Sequence, residues 1–191
     1  MSADEVCLTA GWCVFAMIAF HALPALLWLP FRNLSRVAQQ SSELESWPLV
    51  SVIIAARDEE ARVGDALRQL LESDYPNVEL IFANDRSTDS TGEIADRVAA
   101  TDSRISVLHI DEVPAGWLGK TNAMSRAAKQ AQGHWLLFTD GDILIEPPTL
   151  GLVIRHAEAK KLDHFCLLPS METASWMECV LTSFFAMLFS F

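Results

Sequence analysis

The sequence predicts an α/β fold, a mostly parallel sheet with flanking helices preceded by one transmembrane helix, and three observations lead there. Apolar β-branched runs alternate with segments of helical period, polar clusters follow directly on those runs, and residues 6–31 contain no Lys, Arg, Asp or Glu. Alternating strands and helices call for parallel pairing with right-handed crossovers. A chain of 191 residues has room for one such domain and little more. Hydrophobic residues make up 51%, mean hydropathy is +0.22 and the formal net charge is -11, a combination that suggests an acidic domain tethered to a membrane. With no Lys/Arg-rich run, the acidic chain is a poor nucleic-acid binder, because phosphate contacts supply most of that affinity.

From Val6 to Phe31 the chain reads VCLTAGWCVFAMIAFHALPALLWLPF, long enough as a helix to cross a hydrocarbon layer of roughly 30 Å. The acidic residues ahead of it, Asp4 and Glu5, argue against a signal peptide. Arg32 and Arg36 follow the span and no cation precedes it, so the expected location is the cell membrane, with the remaining chain cytoplasmic. Residues 32–48 read as a linker, 49–170 as the α/β domain, and 171–191 as an apolar, interfacial or truncated segment. The cysteines, at 7, 13, 166 and 179, form no Cys-x-x-Cys motif and suit a reducing compartment. The histidines fall at no metal-ligand spacing and read as packing or surface residues, His109 among them.

LVSVIIAA (49–56) is a continuous β-branched run, as expected of a strand covered on both faces. Glu59 to Ser73 sets Val63, Ala66, Leu67, Leu70 and Leu71 on one helical face, and Tyr75-Pro76-Asn77 stops it. VELIFA (78–83) is the second strand. Ser90 and Glu93 have capping-box spacing for the next helix, which runs to about Ala100. ISVLHI (105–110) is the third strand. A loop from Asp111 to Gly119 leads into a helix carrying Ala123, Met124, Ala127, Ala128 and Ala131, closed by Gly133. WLLFT (135–139) reads as a buried strand, a helix follows from Thr149 to Lys161, and HFCLLP (164–169) reads as a fifth strand.

In parallel sheets ligands sit beyond the carboxyl ends of the strands. Each polar cluster here follows a strand: Arg57-Asp58-Glu59-Glu60, Asn84-Asp85, and Asp140-Gly141-Asp142. Ending a buried strand in two carboxylates costs several kcal/mol, roughly, unless a cation or hydrogen bonds compensate. A hard divalent cation such as Mg²⁺, completed by substrate phosphate oxygens, meets that need. No glycine-rich phosphate loop follows the first strand, which argues against a dinucleotide-binding or P-loop domain.

Taken in order, VSVIIAARDEE, ELIFANDRSTDST, GWLGKTNAM and TDGD resemble the successive motifs of family 2 glycosyltransferases of the Rossmann-like GT-A fold, over roughly Leu49 to Pro169. GWLGK ahead of the Asp-x-Asp turn resembles the membrane-bound, lipid-modifying branch, similar to hopanoid-associated and carotenoid glycosyltransferases. The resemblance implies a nucleotide-sugar donor, a UDP-sugar, and a lipid-like acceptor. It implies that Ala55, Arg57 and Glu59 meet the base and ribose and that Asp85 accepts from the uracil N–H. Lys120 would lie near the diphosphate or base, and Asp140 and Asp142 would bind Mg²⁺ or Mn²⁺ and, through it, the diphosphate. Asn84 departs from the commoner Asp at its place.

No catalytic base is identified. Glu172 and Glu178 are the only acids downstream of Pro169, and the Glu-Asp pair of resembling enzymes is missing. The apolar ending SFFAMLFSF leads us to expect a truncated enzyme that binds donor without transferring it efficiently. Two other readings remain open: a nucleotidyltransferase acting on a sugar phosphate, which would normally carry a basic, glycine-rich loop where this chain is acidic, and a non-catalytic membrane-anchored module.

Overall fold

The computed structural model describes residues 46–167, together with Ser175 and Glu178. The apolar run at residues 6–31, the linker up to residue 45 and nearly all of the C-terminal apolar segment lie outside the described residues. Among those described, no helix is long and apolar enough to cross a membrane. The sheet and its helices belong to one compact unit.

The elements follow in the order β1 (Val50–Ala56), α1 (Val63–Leu71), β2 (Val78–Asp85), α2 (Thr91–Ala99), β3 (Ile105–Ile110), α3 (Gly119–Ala128), β4 (Trp135–Asp140) and α4 (Thr149–Lys160). They form a four-stranded parallel sheet in the order β3-β2-β1-β4. The chain thus moves outward from β1 to β3 and returns on the other side of β1 for β4, which makes the gap between β1 and β4 the topological switch point. All seven residues of β1 are buried, as its uninterrupted apolar run requires of a central strand.

Alternation along β1 and β2 splits the core into two layers. Val50, Val52, Ile54, Leu80 and Phe82 pack with Val63, Leu67 and Leu70 of α1, Val98 of α2, and Leu150 and Ile154 of α4. Ile53, Ala55, Ile81 and Ala83 face Ala123 and Ala127 of α3. Small side chains on that second face let α3 lie close to the sheet, and each fully buried Ile or Leu of the first contributes roughly 1.5–3 kcal/mol.

Several expected details change in the fold. β4 is an edge strand, and Leu136 and Phe138 are 43% and 48% exposed, because the register that pairs Ala55 with Asp140 directs them to the α3 face beyond α3's reach. His164 to Leu167 form no strand; the rest of that run lies outside the described residues. α1 begins at Val63 rather than Glu59, since the Glu59 and Glu60 amides donate to Thr91 and Asp89. Ser90 makes no side-chain cap; Asp89 Oδ1 accepts from the Thr91 N–H and hydroxyl instead. α3 ends at Ala128, five positions before Gly133, whose smallness serves a different contact. The Gly133 amide donates to the buried Ser51 hydroxyl at 2.8 Å, and a Cβ there would lie 2.5 Å from the Ser51 nitrogen. Ser51 in turn donates to Glu79, which also accepts from the Gln132 amide, so the turn into β4 is clamped to β1 and β2.

At the amino end of the sheet, buried Tyr75 donates to the Pro48 carbonyl at 2.6 Å and meets Trp47 edge-on at 5.2 Å between ring centres. Burial raises the phenol to about 12, so the folded state favours the neutral hydroxyl. That contribution is intact below about pH 10, the unfolded value, and is lost as pH rises through the folded one. Tyr75→Phe is expected to cost about 1 kcal/mol in urea unfolding at neutral pH by removing one hydrogen bond. It should also remove part of the stability loss seen between about pH 10 and 12.

Candidate active site

Parallel register sets the site. Ala55 lies opposite Ala83 on one side and Asp140 on the other, and Ala56 opposite Asn84, so the acids that end β2 and β4 flank the carboxyl end of β1. Ala55 and Ala56 leave that edge low and uncrowded between them.

Asp85 is 5% exposed. Its neighbour Arg86, held at φ +57°, forks onto both carboxylate oxygens, with Nε to Oδ1 at 2.9 Å and Nη2 to Oδ2 at 3.3 Å. The paired carboxylate raises the Arg86 guanidinium further above its ordinary range. A carboxylate has about four lone-pair sites, so Asp85 can still accept from a ligand donor.

Gly119, the first residue of α3, packs directly on this pair: a Cβ there would overlap Asp85 Oδ2 and come within 2.5 Å of Arg86 Nη2. The close approach carries the next residue, Lys120, to the far side of β1, where its Nζ meets Asp140 Oδ1 at 2.6 Å. Gly141 has the same logic on the opposite flank, since a Cβ would lie 2.8 Å from that of Ala56. Asp142 therefore emerges beside the β1 edge, and Arg62, the residue before α1, lies 3.8 Å from its Oδ2.

Asp85, Lys120, Asp140 and Asp142 are thus gathered around the end of β1 and over its switch point. Arg57 and Glu59 are held differently. The Arg57 side chain is about half exposed and pairs with Asp58 at 3.5 Å, while the Glu59 amide donates to Thr91 Oγ1 at 2.8 Å. The acidic cluster after β1 serves mainly to stitch two loops together. Asp58, at φ +54°, accepts from the Thr88 N–H and hydroxyl, and its own N–H donates to Ser87. Glu60 and Asp89 each accept from a backbone amide of the other loop. Glu172 lies outside the described residues; the Glu178 amide donates to Ser175 Oγ.

Two residues paired with the site acids escaped the sequence reading. Arg62 and Arg86 look like ordinary surface charges in one dimension, although the adjacency of Asp85 and Arg86 was a usable signal. His109, on β3, is a half-exposed residue of the α2 side, its ring 3.2 Å from Asn84 Nδ2 and 3.1 Å from Asp96 Oδ1.

The chemistry of Asp140 and Asp142 is compatible with a divalent cation. Their side chains are 50% and 44% exposed, offer only oxygen, and are paired with exposed side chains, Lys120 and Arg62, rather than buried partners. No group of three or more His, Cys, Asp or Glu among the described residues could hold a metal unaided. Two carboxylates left to be completed by substrate phosphates are the donor set that Mg²⁺ or Mn²⁺ accepts.

A parallel α/β domain with acids flanking its switch point defines a class of ligand-binding domain, and comparison with known proteins narrows it. The chain belongs to the glycosyl transferase family 2, whose model matches residues 51–187. An uncharacterized glycosyltransferase of Bacillus subtilis, EpsJ, is 31% identical over 116 residues, covering 61% of this chain and 32% of that protein. The 4,4'-diaponeurosporenoate glycosyltransferase of Staphylococcus aureus is 32% identical over 94 residues, covering 49% and 24%. This chain spans about a third of the length of the curated relatives it matches. Among solved structures, Staphylococcus aureus TarS in complex with UDP-GlcNAc aligns with TM-score 0.52 at 25% identity, covering 64% of this chain and 38% of that one. The fold also matches that of the mannosyltransferase PcManGT of Pyrobaculum calidifontis, solved with GDP-Man and Mn²⁺, with TM-score 0.55, 24% identity and coverage of 75% and 42%.

Two outcomes test this geometry. Gly-to-Ala at an ordinary helix position stabilises by up to about 1 kcal/mol; Gly119→Ala should instead destabilise by roughly 1–3 kcal/mol in urea unfolding, because the methyl displaces Asp85 and Arg86. Hydrogen bonds from the Thr88 backbone hold the Asp58 carboxyl below its ordinary range, and the Thr91 hydroxyl does the same for Asp89. Their ionised forms are favoured by folding, so the contribution is present above the unfolded value near pH 4 and is lost as pH falls through the lowered values. A doubly substituted Asp58→Asn, Asp89→Asn protein should therefore show a flatter melting temperature than the wild type from about pH 5 down to pH 2.

Proposed function

We propose that the protein transfers a sugar from a UDP-sugar to the hydroxyl of a lipid at the cell membrane, with the domain on the cytoplasmic side and a divalent cation, Mg²⁺ or Mn²⁺, on Asp140 and Asp142. The observation that carries this reading is the meeting of Asp85, Lys120, Asp140 and Asp142 around the end of β1, with Gly119 and Gly141 allowing the close approaches on its two flanks. In it a base acceptor, a phosphate-binding cation and two metal-binding acids fall in the order of a nucleoside diphosphate's own parts.

In this reading Asp85 accepts from the uracil N–H through the lone pairs that Arg86 leaves unused, and Arg86 keeps the carboxylate oriented. Ala55 leaves the floor clear for the base and ribose, and Arg57 and Glu59 border it from the loop after β1. Lys120 exchanges Asp140 for diphosphate oxygens, a small loss because exposed ion pairs contribute only about 0–1 kcal/mol. A bound divalent cation would act as a Lewis acid, offsetting charge on the departing diphosphate. The acceptor hydroxyl requires a separate base, to which no residue is assigned.

Support for a lipid acceptor and membrane site comes from the uncharged run at residues 6–31 and from the diaponeurosporenoate glycosyltransferase among the relatives. UDP as carrier is supported by the carboxylate of Asp85, which can accept from a uracil N–H, and by the UDP-GlcNAc complex of TarS. Calorimetric titration of UDP and UDP-sugars into the detergent-solubilised chain, with and without Mn²⁺, is the test. Binding should require the metal and weaken at least tenfold, about 1.4 kcal/mol, in Asp142→Ala. Binding indifferent to both the metal and the substitution would refute the reading.

A further inference from the structure

We propose that Arg62 is a diphosphate-binding residue, kept on Asp142 while the site is empty and turned to the phosphate oxygens when nucleotide and cation arrive; this rests on the proposed function above. Arg57, Arg68, Arg86 and Arg104 each pair with an acid no more than three residues away. Arg62 instead pairs with Asp142, from the far end of the domain's sequence, just as Lys120 pairs with Asp140. The two carboxylates of the Asp-x-Asp turn are therefore each held by a cation delivered from a different helix start.

The backbone of Arg62 is anchored and its side chain is not. Its N–H donates to the Glu59 carbonyl, its own carbonyl accepts from Asp65 and Ala66, and the preceding loop is bonded to the loop before α2 through Thr91 and Asp89. The side chain is 67% exposed, and 3.8 Å from guanidinium nitrogen to Asp142 oxygen is an ion pair but too long for a hydrogen bond. An exposed pair of this kind contributes about 0–1 kcal/mol, so the guanidinium can leave it at little cost.

Charge balance gives the departure a destination. Asp140 and Asp142 together cancel a divalent cation, which leaves the roughly two negative charges of a nucleoside diphosphate sugar, and about three on the departing nucleoside diphosphate, to be met by the chain. Lys120 meets one. Once Asp142 serves a cation, Arg62 loses its counter-charge beside an anion that lacks one, and its planar fork is suited to paired phosphate oxygens.

The test is binding rather than turnover. Calorimetry with UDP and with UMP, each in Mn²⁺, is carried out on the full-length wild type, Arg62→Gln and Arg62→Lys. Arg62→Gln is expected to weaken UDP about tenfold, or 1.4 kcal/mol, with UMP within twofold of wild type and the melting temperature unchanged; Arg62→Lys should fall between. UDP binding within twofold of wild type in Arg62→Gln, or equal weakening of UDP and UMP, would overturn the assignment while leaving the proposed function standing. A wild type that binds neither nucleotide would overturn both.

Discussion

The pairing of β1 with β2 on one side and β4 on the other is the constraint from which the remaining features descend. A parallel ladder has one register in which the buried faces of three strands coincide, since a slip of one residue would turn every core side chain outward. In that register Val52, Leu80 and Leu137 share one face and Ile53, Ile81 and Phe138 the other. The same register places Asp140 against Ala55 and Asn84 against Ala56, so the hydrophobic core sets the spacing of the polar edge. Packing and chemistry are therefore not separable here: the contacts that stabilise the sheet also fix where its acids end.

A second level of organisation comes from side chains that bond across loops instead of facing a ligand. Asp58, Glu60, Asp89, Thr88 and Thr91 join the segment after β1 to the segment after β2, and Glu79 and Ser51 tie the turn before β4 to the same two strands. Two of the three left-handed non-glycine residues among those described, Asp58 and Arg86, lie in this stitched region; the third, Lys161, ends α4. Such conformations cost roughly 1 kcal/mol or more each and persist where surrounding bonds over-determine them. The loops that would meet a nucleotide are in this way held before it arrives, which lowers the ordering cost of binding.

The acids differ in how they are compensated, and the difference follows their burial. Asp85 is nearly enclosed and is matched by a two-pronged arginine one residue away, a partner it cannot readily lose. Asp140 and Asp142 are about half exposed and are matched by single long side chains from elsewhere in the chain. Desolvation makes the first partnership obligatory, whereas solvent screening makes the other two exchangeable. A fixed acid at one flank and exchangeable acids at the other suit a ligand with a neutral base at one end and a charged diphosphate at the other.

The sequence alone determined the class of fold, because runs such as VSVIIAA and VELIFA have the length and branching of buried strands and the intervening segments have a helical period. It also determined which strands end in acids, since TDGD and AND are read directly. Tertiary structure decided which of those acids meet, and with what. The RDEE cluster reads as one more acidic strand end, yet its Asp58 and Glu60 bond to the next loop, because a carboxylate two residues beyond a strand is already within reach of the neighbouring turn. Lys120 could be placed near the site by its motif, but the reason it arrives there, the passage of Gly119 over Asp85 and Arg86, is a contact between residues 34 positions apart. Arg62 and Asp142 are 80 apart. No local pattern marks either pair, because an ion pair across elements depends on the register of the sheet between them, and that register exists only once the core has packed.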